Sequence, residues 1–237
     1  MLPLTRIRPK PLLPLGDATL VDHAVARVRS IAPHVVVNVH AARLEMERHL
    51  GATVTWSIED MPGLGTAGGV AAAARLVPGC DLVVVNGDTW CPGDLASALD
   101  GWDRERVRVV VAGPPVLEPR SQIVASFVSA AVAAGLSVEP SGLFEVCWSP
   151  AMATGRLDVV GWDGPIIDCA TPRDHLLANL AVSGGVSVID VRASLLWYFL
   201  KRFGIEGDAA AKPPQDQQIV LLNRDDVMTA LSARQEA

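Results

Sequence analysis

Two acidic side chains at the ends of apolar runs, one lysine framed by prolines and one glycine-rich loop are the parts of this sequence that could do chemistry. Asp88 follows Val83-Val84-Val85 after the turn Asn86-Gly87. A carboxylate emerging from the end of a buried strand is well placed to hold Mg²⁺ bound to phosphates, although a plain turn residue has the same signature. Asp168 stands similarly after Ile166-Ile167, three residues before Thr171-Pro172, a pair suited to capping and opening a helix. Two such carboxylates could share one cation. Lys10 is the only lysine before residue 201 and lies in Arg8-Pro9-Lys10-Pro11-Leu12-Leu13-Pro14. The prolines are expected to hold this backbone extended, and a rigidly placed ammonium neutralises phosphate as a point donor. Gly63, Gly65, Gly68 and Gly69 form no GxGxxG, and no Gly-Lys-Ser/Thr follows. That excludes a Walker loop and leaves a dinucleotide-dependent oxidoreductase without its fingerprint. These glycines are read as letting the backbone approach a flat ligand such as a nucleobase, against the plainer reading of a flexible capping loop.

The remaining metal and nucleophile candidates are weak. Cysteines 80, 91, 147 and 169 form no CxxC pair, so a structural zinc site is not expected and burial as small hydrophobes is. The five histidines show no HExxH spacing and receive no catalytic role.

The elements that must position these groups alternate. Leu20, Val21, Ala24, Val25 and Val28 recur at helical spacing within 18–32. A strand is predicted over 34–39, a helix over 41–50 and an alternating strand over 53–58. After the glycine loop come a helix over 70–76, the clearest buried strand of the chain over 81–85, a helix over 95–99 and a strand over 107–112. This order predicts an α/β fold, a Rossmann-like and mostly parallel sheet flanked by helices. Beyond Pro115 an Ala/Val helix is predicted over 121–135, ended by Gly135. Short strands follow over 142–167, and a helix from Thr171-Pro172 to Val182, closed by Gly184-Gly185. Residues 1–185 read as one domain. Residues 186–237 read as a small C-terminal appendage with a helix over 193–203, a linker over 204–214, a strand over 219–222 and a last helix. Leu195, Leu196, Phe199 and Phe203 form a stripe that docks on the parent domain or serves a homodimer.

Composition narrows the class. With half of 237 residues apolar and only 19% charged, the chain can bury a core and is not a disordered tail. A net charge of −6 with no run of lysine or arginine excludes a broad nucleic-acid surface. The richest apolar stretch, 123–136, is broken by Ser126 and Ser129 and is too short to span a membrane. The N-terminus offers no apolar signal segment, so the cytoplasm is the expected location.

Taken together, the pieces resemble the sugar-1-phosphate nucleotidyltransferases, the family of mannose-1-phosphate guanylyltransferases and N-acetylmuramate-1-phosphate uridylyltransferases. Pro3-Leu4-Thr5 and Arg8 to Pro14 look like the second half of its N-terminal signature. Leu64-Gly65-Thr66-Ala67-Gly68-Gly69 looks like its base-binding loop, and Val85-Asn86-Gly87-Asp88 like its metal-binding strand end. Ser141-Gly142-Leu143-Phe144 is similar to the strand that contacts the sugar. Ile167 to Leu176 with Ala178-Asn179 resembles the second metal segment. The resemblance implies transfer of a nucleotidyl group from a nucleoside triphosphate to a hexose 1-phosphate, with pyrophosphate released. Lys10 would be the catalytic residue on the phosphates, and Asp88 and Asp168 the Mg²⁺ ligands. Gly65, Thr66, Gly68 and Glu59 would bind the base side of the substrate, and Gly142 the sugar side. A catalytically inactive relative that binds a nucleotide sugar or a partner protein is the alternative.

The sequence departs from the family in four places. It starts where the family's Leu-Ala-Ala-Gly-x-Gly-Thr-Arg loop would end, so the loop and the first strand are absent. The expectation is that Met1 is an internal methionine of a longer protein, the competing one a truncated chain of lost or altered activity. Ala170 stands for a frequent glycine and Arg173 for a frequent acid. Residues 113–140 are shorter than the family's segment and lack its Glu-Lys-Pro stretch. The tail carries no hexapeptide repeat, so no left-handed β-helix is expected.

Overall fold

The computed structural model describes residues 1–2, 4–60, 62–183, 186–191 and 218–223. The fold comprises two compact units, one of residues 21–166 and one of residues 1–20 with those from 167 onward. Burying an apolar face is what shapes each.

The N-terminal stretch forms a hairpin of β1 (Pro14–Leu15) and β2 (Ala18–Thr19), paired Pro14 to Thr19 and Leu15 to Ala18. Gly16 makes its turn at φ +64°, a conformation in which a side chain would be strained. Helix α1 (Leu20–Arg29) buries the expected Leu20, Val21, Ala24, Val25 and Val28. Next come β3 (Val36–Val39), α2 (Arg43–Leu50) and β4 (Thr55–Ile58), with β3 and β4 parallel from Val36–Thr55 to Val39–Ile58. Helix α3 (Gly65–Ala74) starts five residues earlier than the apolar period indicated, because the glycine loop itself supplies its first turns.

The main sheet has the order β5-β8-β7-β9. Strand β5 (Leu82–Val84) forms where expected but stands at the sheet's end and is half-buried. The two-residue β6 (Thr89–Trp90) and helix α4 (Ala96–Leu99) lead to β7 (Val107–Ala112), the most buried strand, whose Val109, Val110 and Val111 are wholly enclosed. The helix expected over 121–135 is replaced by strand β8 (Ile123–Val128), antiparallel to both β5 and β7, followed by the short α5 (Ala130–Ala134). A strand buried on both faces is apolar throughout and has no period to tell it from a buried helix. Ser129 divides the two, its hydroxyl accepting from Val132 N at 3.4 Å.

Strands were likewise expected over 142–167, yet Phe144–Trp148 forms a π turn that runs into α6 (Ser149–Ala153). Pro150 falls in the first turn of α6, where its missing N–H costs nothing. Strand β9 (Leu157–Trp162) then pairs parallel with all of β7. Arg108 crosses this junction, its Nε 2.7 Å from Asp158 Oδ2 and its Nη1 donating to Ala98 O and Asp100 O.

Strand β10 (Ile167–Asp168) leads into α7 (Pro172–Val182). Thr171 caps α7 through a reciprocal capping box with Asp174, as its Thr-Pro start indicated. Strands β11 (Val186–Val191) and β12 (Gln218–Asn223) form an antiparallel pair. The predicted helices of the tail, its linker and the Leu195/Phe203 stripe lie outside the described residues. Among the described residues, no helix is long and apolar enough to cross a membrane. The fold is α/β, with parallel pairs flanked by helices.

Candidate functional site

Lys10 and Asp168, 158 residues apart in the chain, meet: Lys10 Nζ lies 3.5 Å from Asp168 Oδ1. The prolines around Lys10 do not extend it. Lys10–Leu12 is a single 3₁₀ turn between two extended residues, Pro9 at φ −54°, ψ 143° and Leu13 at φ −65°, ψ 134°. Pro11 fits inside the turn because no intraturn hydrogen bond needs its nitrogen. Leu12, Leu13 and Leu15 are buried, which nails the segment down on its apolar side and leaves the lysine at the surface. The lysine side chain is 23% exposed and that of Asp168 50%. An exposed pair of this kind is worth at most about 1 kcal/mol, so stability does not explain it.

Asp168 is held from the other side. Cys169 is wholly buried, and Ala170 N donates to Asp168 O at 2.8 Å, which folds the chain into the Thr171 cap. Two residues of α7 reach back to the hairpin. His175 Nε2 donates to Pro14 O at 2.7 Å. Asn179 Nδ2 donates to Pro14 O at 3.3 Å and to His175 O at 3.0 Å, while its Oδ1 accepts from Gly16 N at 3.2 Å. Burial lowers the His175 pKa, an effect the Pro14 hydrogen bond opposes only in part. Both residues are buried. Sequence reasoning gave His175 no role; the signal available was its i, i+4 spacing to Asn179, but their partners are backbone groups that no residue pattern reveals.

The other candidates belong to the 21–166 unit. Glu59, 8% exposed, continues the β3–β4 pairing with its N donating to Val39 O at 2.9 Å. Its Oε2 accepts from Leu64 N at 2.7 Å, placing an anion at the start of α3, where free N–H groups favour one. Glu59 is therefore committed to the glycine loop itself. Gly65 has φ +66°, and a Cβ there would stand 2.6 Å from Ser141 O; one at Gly68 would collide with Glu139 O. The close approach these glycines permit is thus to the chain's own segment 139–141. Ala67 N donates to Ser141 O and Ser141 N to Leu64 O, both at 3.0 Å. Thr66 Oγ1 accepts from Leu143 N at 3.1 Å. Gly142 stands two residues before the π turn, not in a strand, and a Cβ there would meet the Glu145 carboxylate. Glu59, Gly65, Thr66, Gly68 and Gly142 therefore gather into one clamped surface, and Lys10 with Asp168 into another. Asp88 follows β5 as expected, after a Gly87 whose Cβ would meet only Val21 Cγ2, at 3.9 Å.

Among the described residues, no three His, Cys, Asp or Glu side chains gather as a metal cage. Mg²⁺ needs no such cage: it is commonly held by one or two carboxylates with water and phosphate oxygens completing the shell, and a single carboxylate such as Asp168 beside Lys10 has that donor chemistry. A cavity of ≈ 330 Å³ lined by His23, Arg27, Ser30 and residues 90–94 includes none of the candidates. Its Arg27 is already committed to Cys91 O at 3.0 Å and Val124 O at 2.8 Å.

Comparison with known proteins gives the site its context. A model of the MobA-like NTP transferase domain matches residues 5–141, and one of the C-terminal dimerization domain of the BrxR transcriptional regulator matches residues 180–227. The chain is 31% identical over 126 residues to a mannose-1-phosphate guanylyltransferase of Mycobacterium tuberculosis, covering 50% of this chain and 35% of that protein. It is 33% identical over 106 residues to an N-acetylmuramate alpha-1-phosphate uridylyltransferase of Neisseria meningitidis, covering 42% and 46%. The chain thus spans less than half the length of these curated relatives. Its fold matches a Bacillus anthracis protein assigned as a glucose-1-phosphate thymidylyltransferase, solved with sucrose, at TM-score 0.63 and 15% identity over 76% of this chain and 89% of that one. It also matches HddC from Yersinia pseudotuberculosis, at TM-score 0.57 and 17% identity over 72% and 88%.

Proposed function

The chain belongs to the MobA-like NTP transferase family, and on that premise we propose that it transfers a nucleotidyl group from a nucleoside triphosphate to a sugar 1-phosphate. An oxygen of the sugar phosphate attacks the α-phosphorus in line. The new P–O bond forms as the bond to the bridging α–β oxygen breaks, and pyrophosphate departs. No protein nucleophile is needed, so the chain contributes placement and charge. Lys10 sets its ammonium against the phosphates. Asp168, beside it, and Asp88 would hold Mg²⁺, which when bound neutralises phosphate charge and orients the oxygens. The base side of the substrate is assigned to the loop of Gly65, Thr66 and Gly68, which Glu59 and the packing on segment 139–141 hold in shape, and the sugar side to Gly142. Residues 1–185 carry the transfer and residues 186–237 form an appendage; the match to a dimerization domain over 180–227 supports a homodimer. A nucleoside triphosphate substrate supports the cytoplasm as the location we assign.

The observation that carries this reading is the 3.5 Å approach of Lys10 to Asp168, the phosphate cation and a metal carboxylate side by side. The test is pyrophosphate release by the purified full chain with Mg²⁺, using GTP with mannose 1-phosphate and UTP with N-acetylmuramate 1-phosphate, then other common pairs. Release dependent on both substrates is expected. No release with any pair, together with a thermal shift on adding nucleotide sugars, would replace the transferase by a binding protein.

A further inference from the structure

We propose that His175 and Asn179 are positioning residues that set Lys10 against Asp168 by clamping the Pro14–Gly16 turn onto α7. The inference rests on the reading of Lys10 and Asp168 as phosphate and metal groups. The hydrogen bonds of His175 and Asn179 run to the hairpin backbone and to α7 itself, so each acts on the pair through the chain.

Helix α7 is the common reference for both functional groups. On one side, Asp168 is tied to its start by the buried Cys169, by the Ala170 N to Asp168 O hydrogen bond and by the Thr171–Asp174 capping box. On the other, the hairpin tip is fixed to the second and third turns of the same helix. Pro14 O accepts from two side chains, His175 Nε2 and Asn179 Nδ2, and Gly16 N donates to a third group, Asn179 Oδ1. A carbonyl can only accept, so His175 must carry its proton on Nε2, which selects one tautomer of the ring. The packing allows little slack: a Cβ on Gly16 would stand 2.7 Å from Val182 Cγ1.

From that tip back to Lys10 there is no free run of chain. Pro14 has a fixed φ. Leu13 N donates to Lys10 O at 3.1 Å and Leu12 N to Pro9 O at 2.9 Å, while Leu12 and Leu13 are buried. The orientation of the turn is therefore passed along four residues to the lysine. A hairpin needing only to be stable would be served by its own pairing and by Leu15. Two buried polar side chains spent on one carbonyl and one N–H at its tip fix its angle as well.

The test reads Lys10 directly, without turnover. Acylation by an N-hydroxysuccinimide acetate is followed at Lys10 by peptide mass spectrometry in the wild-type full chain and in Asn179→Ala, Asn179→Asp, His175→Ala and His175→Gln. Loosening the pair with Asp168 removes that restraint on the amine, and the rate is expected to rise about threefold in the alanine variants, the size of an exposed ion pair. His175→Gln, which keeps a donor for Pro14 O, returns toward wild type. Asn179→Asp keeps the acceptor for Gly16 N and loses the donors, so it falls between, and it serves if the alanine variants fail to fold. In steady-state kinetics the same variants lower kcat with little change in the KM for nucleotide. Folded variants with a lowered Tm but unchanged Lys10 acylation and kcat would overturn the clamp and leave both residues structural. If the wild type itself shows no turnover, the transferase reading fails while the acylation rates still decide the clamp.

Discussion

At the scale of the residue, chemistry and packing make opposite demands, and substitution separates them. Lys10 and Asp168 form an exposed pair whose loss costs the fold little. Lys10→Met is therefore expected to keep the circular dichroism spectrum and Tm of the wild type while lowering kcat/KM by about 10²-fold or more, the scale of one lost charge-stabilising donor. Asp88→Asn is expected to abolish turnover with the fold intact; loss of solubility instead would mark a structural carboxylate. The glycines behave in the reverse way. A methyl at Gly68 falls on the Glu139 carbonyl oxygen, which is backbone and cannot swing aside, so Gly68→Ala should destabilise by about 1–3 kcal/mol. Gly87→Ala meets only Val21 Cγ2 at 3.9 Å and should be nearly neutral. Equal urea midpoints for the two alanine variants would show that the 139–141 clamp does not load Gly68.

At the scale of the element, α7 joins the Asp168 turn to the hairpin, and its N-terminus is the place to weaken it. Thr171 Oγ1 accepts from Asp174 N at 3.2 Å, and Asp174 Oδ2 accepts from Thr171 N at 2.9 Å. Thr171→Ala removes one arm of this box and is expected to cost about 1 kcal/mol in urea denaturation; an unchanged midpoint would mean the cap is idle. The cap is legible in the residues alone because Thr-Pro with Asp three positions after the threonine is a local signal. So are α1, β3 and β7, whose apolar residues recur at one clear period or fill one short run. The 121–135 segment is not legible: strand β8 is buried along nearly its whole length, so its residues satisfy a helix and a strand equally, and only pairing with β5 and β7 decides. The π turn and α6 are hidden by Pro150, which punctuates a strand and opens a helix with equal ease.

At the scale of the whole molecule, the candidate residues can be named from their types, but their meetings cannot. Lys10 and Asp168 meet because α7 folds back on the hairpin, a contact made largely through backbone atoms, which every sequence has and none advertises. That same contact sets an acid limit on the fold. Burial disfavours the imidazolium of His175, so its pKa lies below the ordinary value of 6.5 in the folded chain and near that value once unfolded. Below about pH 6.5 the unfolded chain thus binds the proton first, and this group's contribution, complete above 6.5, is lost as the pH falls through the lower folded value. Asp103 acts in a separate window. Hydrogen bonds from Arg106, backbone first and then side chain, hold its carboxyl at about 2 against 3.8. Its contribution, complete above 3.8, therefore fades only as the pH falls toward 2. Urea midpoints followed by circular dichroism from pH 7.5 to 4.5 should fall for the wild type. His175→Gln has no proton to gain there, so its midpoint should fall less steeply over the same range and meet the wild-type curve toward the acid end. Parallel curves for the two proteins would mean that His175 charges as readily inside the fold as outside it, and that its burial against Pro14 carries no electrostatic cost.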